Sequence, residues 1–377
     1  MDRRFVIFPA ILVILSMIHG NCIAQDREKV SGIVFHDVNA NGIRDKKEVG
    51  IADVIVSNQL EVVKTDSKGR YSLPLRERSI IFVSKPSAYD LPLNKDNLPQ
   101  FYYIHQPGGS PEGLDYEGIP ASSELPESLD FALVESEQDQ EFRVIVSGDP
   151  QPSTREQVDY YLNDVVTEML SYNADFYLAL GDLVEDDLSL YDKLNAGVGH
   201  LGIPAFNVIG NHDLNFKAEN NRFKAESYHS VFGPDYYSFN KGKVHFIVLN
   251  SVQYEGWNKE EDKPGRYYGG FDDRQLEWMA NDLKFVPGDY LVVIVSHIPM
   301  LEGPMNIESI NKVFEILKFE NHLLALAGHQ HQIANMNYNK EKHWTRPVHF
   351  PYLVAGAACG SWWSKVKDER GIPLSVA

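Results

Sequence analysis

Cysteine is nearly absent: the 377-residue chain has 2, Cys22 and Cys359. Cleavage after Ala24 would leave only Cys359, which excludes an intramolecular disulfide framework and leaves packing or bound metal to hold the fold. Basic residues are also scarce, with 35 Lys and Arg against 53 Asp and Glu. Without residues 1–24 the balance is 33 against 52, a formal charge of −19. Such a surface repels nucleic-acid backbones, so no nucleic-acid polymer is expected as a partner. Long apolar runs are missing apart from Phe5 to Ile18, which is too short to span a membrane comfortably. Preceded by Met1-Asp2-Arg3-Arg4, that run has the form of a secretory signal. Residues 1–24 are therefore expected to be a signal peptide on an exported protein, periplasmic or extracellular. Lipid attachment at Cys22 is the one membrane anchor on offer, and His19-Gly20-Asn21 is a poor lead-in for it.

The length suggests two or three domains. Short β-rich runs bounded by Gly, Asn, Asp and Pro (Val30 to Phe35, Val54 to Ser57, Tyr71 to Leu75, Ser79 to Val83) predict a small all-β sandwich over residues 25–136. Gln106 to Glu127 reads as a long surface excursion before a last strand near Phe131 to Val134. From about Glu141 strands and helices alternate, the pattern of a layered α/β unit over 137–345. Ser153 and Glu156 have capping-box spacing, and Val158, Tyr161, Leu162, Val165 and Met169 form one apolar helical stripe. Residues 346–377 end that unit or begin a further domain that is cut short.

Five strand-like runs end in metal-ligand residues: Ser147-Gly148-Asp149-Pro150-Gln151, Gly181-Asp182, Gly210-Asn211-His212-Asp213, Ser296-His297 and Gly328-His329-Gln330-His331. Any one of them has a plain explanation as a cap or turn. Together they place carboxylates, amides and imidazoles at one sheet edge, where α/β folds bind ligands. Hard oxygens plus imidazoles, with no thiolate offered, suit manganese, iron or zinc. His200, His229, His245, His322, His343 and His349 lack such context and read as core or surface histidines, His245 as a strand packing residue.

In identity, order and placement these segments resemble the calcineurin-like metallophosphoesterase family, across roughly Phe142 to His331. The resemblance implies a four-layer α/β/β/α sandwich and hydrolysis of a small phosphomonoester or phosphodiester by a metal-bridging hydroxide. It further implies that Asp149, Gln151 and His331 hold one divalent ion, that Asn211, His297 and His329 hold the other, and that Asp182 bridges both. His212 becomes the proton donor, with Glu185 or Asp186 orienting it. One position departs: the family's first motif usually reads Asp-x-His, and here it is Asp149-Pro150-Gln151. A neutral, weaker ligand there keeps a second reading open, a non-catalytic phosphate- or metal-binding protein, or an adhesive surface protein.

A separate metal pattern lies in the first domain. Asp37, Asn39, Asn41, Gly42, Asp45 and Glu48, with the Ile43 carbonyl, fall at the positions of an EF-hand-type loop. With strands on either side, the expectation is a weak calcium staple, and the competing reading is a polar hairpin. The N-terminal region resembles the β-sandwich that precedes the catalytic domain in some exported bacterial members of the family, which usually carry a C-terminal domain as well. Trp362 and Trp363 either line the substrate pocket or pack against the sheet.

Overall fold

A computed structural model describes residues 28–137, 141–300, 305–360 and 362–374. The signal-peptide reading of residues 1–24 and the lipid reading of Cys22 fall outside them. Among the described residues no helix is long and apolar enough to cross a membrane.

The first unit is two four-stranded sheets face to face. One orders its strands Arg70–Pro74, Lys29–His36, Phe131–Glu135 and Tyr89–Asp90; the other runs Val62–Lys64, Ile55–Ser57, Ser79–Ser84 and Tyr102–His105. Alternation builds the first: Val30, Val34, Tyr71 and Leu73 are buried, while Ser31 and Ser72 hydrogen-bond to each other outside. Ser79–Ser84 is buried throughout because the second unit covers its other face.

The second unit has the expected four layers. A three-stranded parallel sheet (Ala205–Asn207, Phe176–Ala179, Val144–Ser147) faces a six-stranded one. Period-two alternation decides what each side chain meets. Phe176, Leu178 and Phe206 point into the core between the sheets, and Tyr177, Ala179 and Ala205 pack in the cluster that holds Val158, Tyr161 and Leu194 of the outer helices. Between the sheets Phe206 stacks on Phe239 at 4.0 Å and Phe239 on Phe246 at 4.7 Å, with the Phe176 ring edge-on to the last two. Helices Asp273–Asp282 and Ile307–Ile316 cover the far face of the larger sheet through Leu276, Met279, Ile310, Val313 and Phe314.

The strands beyond residue 333 belong to this unit. Pro351–Val354 pairs in parallel with Leu323–Ala327 and antiparallel with Ala334–Asn337, completing the six strands. The chain then runs beneath the first ligand loop, where Ala357 bridges Gly148.

Three local expectations need correction. The helix that opens at Arg155 is capped by Thr154, whose hydroxyl accepts from the Gln157 amide at 3.2 Å, one residue later than Ser153 and Glu156 suggested, while the Gln157 side chain accepts from the Ser153 amide at 2.7 Å. The same helix contains a π turn over Leu162–Val166, and the extra residue rotates the stripe so that Val166 is buried while Leu162 and Val165 are only half-buried. His245 is more than packing: its Nε2 lies 2.7 Å from Asp282 and its Nδ1 2.7 Å from Asn240, tying the hairpin to the helix behind it.

The excursion 106–127 is a strap across the second unit and not a free loop. Asn215 donates to the Tyr116 carbonyl at 3.1 Å, and Gln106 donates to Glu226 at 2.8 Å. Arg78 of the first unit pairs with Glu226 of the second, and the Glu226 side chain is fully buried. Ser84 and Ser238 bond across the same seam at 2.9 Å, and Lys85 bridges Phe239. Removing one partner of a buried pair strands the other charge, at a cost of several kcal/mol. Glu226→Ala should therefore destabilise the chain by about 3 kcal/mol in urea unfolding. A change under about 0.5 kcal/mol would mean that the pair is solvated and does not dock the units.

Candidate metal centre

All five ligand-bearing segments follow strands that run parallel in the two facing sheets, so their carboxyl ends open on one edge. Five of the seven expected ligands then adopt left-handed backbone: Asp149 (φ 46°), Gln151 (39°), Asp182 (50°), His329 (72°) and His331 (53°). Non-glycine residues seldom go there, and each such position costs of order 1–3 kcal/mol. Strain of that kind persists only where surrounding structure fixes it. Two glycines make the approach feasible. Gly210 has no room for a side chain, since a Cβ would stand 2.1 Å from both the amide nitrogen and Oδ1 of Asp182. Gly181 is left-handed at φ 95°, and a Cβ there would meet His297 Nδ1 at 2.6 Å.

The seven residues lie together. His297 Nε2 is the hub, 3.1 Å from Asp182 Oδ2, 3.1 Å from Asn211 Oδ1 and 3.2 Å from His329 Nδ1. Its other nitrogen faces the Leu180 carbonyl at 2.8 Å. When Nδ1 donates that bond, the Nε2 lone pair is left free for a metal, the arrangement that fixes ligand tautomers elsewhere. Beside this group, Asp149 Oδ1 lies 3.6 Å from His331 Nε2, and both Asp149 oxygens accept from the His329 amide at 3.1 and 2.9 Å. Gln151 presents Nε2 to Asp182 Oδ2 at 3.1 Å, with its Oε1 3.5 Å from Cys359 Sγ. A half-turn of the amide exchanges the two atoms and offers the oxygen to a cation.

Charge shows what this cage needs. Asp149 and Asp182 are 0 % and 1 % exposed. Burial, reinforced by Asp182, pushes the Asp149 carboxyl up, whereas burial of Asp182 is overridden by His297 and His212, which hold it down. Burial alone would keep His297 neutral, yet Asp182 and Asp149 draw a proton onto it and raise it to about 9. Burial and the neighbouring His297 outweigh the pull of Asp182 on His329, which drops to about 4. The cluster thus recruits positive charge from its own imidazoles, the demand that divalent cations would meet. Asp182, His297 and His329 each offer an atom within 4.8 Å of one another, close enough for a single ion. The donor set fits such ions.

Of the two carboxylates expected near His212, Asp186 makes the bond, Oδ1 to Nδ1 at 2.7 Å, while Glu185 stays 3.7 Å away. Burial lowers His212, but Asp186, Asp182 and Glu185 outweigh it and raise the imidazole to about 9. The Trp pair splits its roles. Trp363 is buried and donates to the Pro150 carbonyl at 2.8 Å, fixing the backbone between two ligands. Trp362 is 49 % exposed and lies over His331 with centroids 4.6 Å apart.

Sequence reasoning missed two supports. Asp213 is fully buried and accepts from the Gly210 and Leu183 amides at 2.8 and 3.0 Å and from the Tyr191 hydroxyl at 3.0 Å, bracing both the Asp182 and Asn211 loops. Its place three residues after Gly210 was the available signal, read only as part of a turn. Cys359 reaches the Gln151 and His331 side chains, its thiol pushed up to about 12 by burial and by Asp149, hence neutral. No spacing pointed to it.

The loop of Asp37, Asn39, Asn41, Ile43, Asp45 and Glu48 stands far along the chain in the first unit and closes on itself. Asp37 accepts from the Asn41 and Gly42 amides, Asn39 donates to Asp45 at 2.9 Å, and Glu48 accepts from the Val38 and Asp45 amides. Those bonds hold the loop in one closed turn, which either reading of it requires.

Fold and cage together define an α/β/β/α protein with a metal-type site at the mouth of its sheets. The chain belongs to the calcineurin-like phosphoesterase family: the model for that family matches residues 142–333, just over half of the chain, and the model for the family's N-terminal domain matches residues 38–120. No curated protein matches it significantly. Similar solved structures include a dimetal phosphatase from Danio rerio, 16 % identical with a TM-score of 0.43 over 58 % of this chain and 88 % of the other. A purple acid phosphatase from yellow lupin (Lupinus luteus) seeds is 11 % identical with a TM-score of 0.42, over 82 % and 62 % of the two chains. A Plasmodium protein described as the anchor in the inner membrane complex is 14 % identical with a TM-score of 0.34, over 58 % and 72 %.

Replacing Gly210 by Ala should push Asp182 off its position without touching a ligand. Metal affinity, measured by titration, is expected to fall about 10–100-fold while far-UV circular dichroism stays unchanged. Undiminished affinity would show that Asp182 is not a ligand.

Proposed function

We propose that the chain hydrolyses a small phosphomonoester or phosphodiester at a site with two divalent cations. The observation that carries this reading is the convergence of the His297 Nε2, Asp182, Asn211 and His329 donor atoms beside Asp149 and His331. Asp149, Gln151 and His331 would hold one cation and Asn211, His297 and His329 the other, with Asp182 between them; manganese, iron and zinc all suit the set. When bound, such cations withdraw charge from the phosphoryl group and acidify water. The rest falls to the protein. Its left-handed loops and buried carboxylates hold the donors fixed, so little reorganisation is needed as charge develops. His212 Nδ1 is bonded to Asp186, which leaves Nε2 to deliver a proton to the departing oxygen. Tyr267, 38 % exposed beside His329, and Trp362 beside His331 form an aromatic rim that a leaving group would touch.

Release of p-nitrophenol from p-nitrophenyl phosphate and its bis ester, assayed with added manganese, iron or zinc, tests the proposal. Asp182→Asn should lower kcat/KM by two orders of magnitude or more, on the scale of losing one preorganised charge at the reacting group, about 10²–10³. Silence of the unaltered protein with every metal would favour the binding-only reading that Gln151 invites.

His212 donates only when protonated, that is, below its pKa, and Asp186 is among the groups that raise that pKa. Asp186→Asn should therefore move the alkaline limb of the pH–rate profile to lower pH by about one unit. A limb that stays in place would assign the proton to another group.

A further inference from the structure

A second cavity, of about 630 Å³, lies in the seam between the two units, and none of the seven candidate ligands lines it. Its walls come from Arg76 to Ile80 of the first unit and from Asn221 to Ala225, His229 and Arg274 of the second. That volume falls within the range of small-molecule sites. We propose that this seam binds a small, multiply charged oxyanion, an oligophosphate or polycarboxylate of metabolite size, independently of hydrolysis.

Partnering, more than net charge, carries the argument. Five cations line the cavity against three carboxylates. Arg76 is paired with Glu61 and Arg78 with Glu226, so both of those are satisfied. Among the described residues, Arg222, Lys224 and Arg274 have no carboxylate within ion-pair distance. Lys224 is 4 % exposed, bonded only to the Asn221 side chain and the Val252 carbonyl. Arg274 donates to the carbonyls of Gln59 and Asn58 at 3.3 and 3.2 Å and meets the Tyr236 side chain, and the Arg222 guanidinium lies over the Phe223 ring.

Of the three lining carboxylates, Asp235 is held within the cavity wall by Gln59 and His229 as well as by Asn250, and the other two are a helix cap and an exposed side chain. Asp235 accepts from Asn250 at 2.7 Å and Gln59 at 3.2 Å; Asp272 caps a helix through the Gln275 amide at 2.8 Å; Glu77 is exposed. His229 adds a donor. It is buried, its Nε2 stands 3.1 Å from Asp235, an ion pair when the ring is protonated, and its Nδ1 has no hydrogen-bond partner. Burial lowers the Arg78 guanidinium, and Arg222 and Arg274 add to the depression, so three guanidiniums crowd one space. Glu61 and Glu226 bring the carboxylates around the cavity to five, level with the cations, but none of them is in ion-pair contact with Arg222, Lys224 or Arg274, and an anion bound among these three would offset their mutual repulsion and desolvation. Guanidinium forks match carboxylate and phosphate oxygens in geometry as well as sign.

Isothermal titration of the full chain as isolated, with inorganic pyrophosphate and separately with tricarballylate, tests the site and distinguishes the two sources of anionic oxygen. At least one should bind, and more weakly as salt rises. Arg222→Gln combined with Lys224→Gln and Arg274→Gln should weaken that binding at least about tenfold with the melting temperature retained. Glu77→Gln, which removes a negative charge from the rim, should tighten it about twofold to fivefold. Affinity unchanged in the triple variant would place the anion at the metal centre and overturn the proposal, as would the absence of binding by both probes. Should the triple variant unfold, Glu77→Gln decides alone: unaltered affinity there refutes the site.

Discussion

Two carboxylates are sunk side by side where water cannot screen them, and the protein around the sheet mouth is organised by that fact. Asp149 and Asp182 raise the proton affinity of what surrounds them because two like charges in a low-dielectric cleft demand a counter-charge. Without another cation the nearest imidazole takes a proton. Such a cluster is unstable in isolation and has to be held. The strained turns at Asp149, Gln151, Asp182, His329 and His331, the vanished side chains at Gly181 and Gly210, and the buried brace of Asp213 are means of holding it.

The hold is distributed over the whole second unit. Residues near 150 are fixed by residues near 360: the Ala358 amide donates to the Gly148 carbonyl, the Cys359 amide to that of Asp149, and the Trp363 indole to that of Pro150. The cage therefore closes only when the last strand, Pro351–Val354, has joined the sheet and delivered the segment after it. A site assembled from such distant segments scarcely exists in the unfolded chain, so a cation bound there would stabilise the folded one.

Much of this was legible in the sequence because it is written in local patterns. Strand period, turn residues and ligand types at strand ends need no tertiary knowledge, and they located Phe176–Ala179, Leu291–Ser296 and Leu323–Ala327 to within a few residues. What stayed hidden depends on contacts that sequence spacing does not encode. The π turn at Leu162–Val166 shifts a helical stripe by one residue, which no periodicity argument anticipates. His245 looked apolar by position, yet its partner Asp282 is thirty-seven residues away. The strap 106–127 carried every mark of a free loop, because its anchors, Asn215 and Glu226, belong to the other unit. Asp186 and Glu185 were equal candidates until backbone geometry separated them by an ångström.

The departure at Gln151 acquires its meaning from the cage. As metal ligands an imidazole and an amide are both neutral, so with cations bound the exchange would leave the charge of the cluster unaltered and change only the character of the donor. With the amide oxygen turned inward, the Asp149 side would offer two oxygens of its own and one imidazole, whereas the Asn211 side offers one oxygen and two imidazoles. Oxygen donors favour harder ions and imidazoles borderline ones. Were each half to hold a cation as proposed, the halves would differ in the cation they prefer, and an imidazole at position 151 would even out their count of oxygen and nitrogen donors. Cys359, whose sulfur touches the Gln151 and His331 side chains, stands outside the donors counted here. Its bulk instead sits behind the Gln151 amide and limits which way that amide can turn.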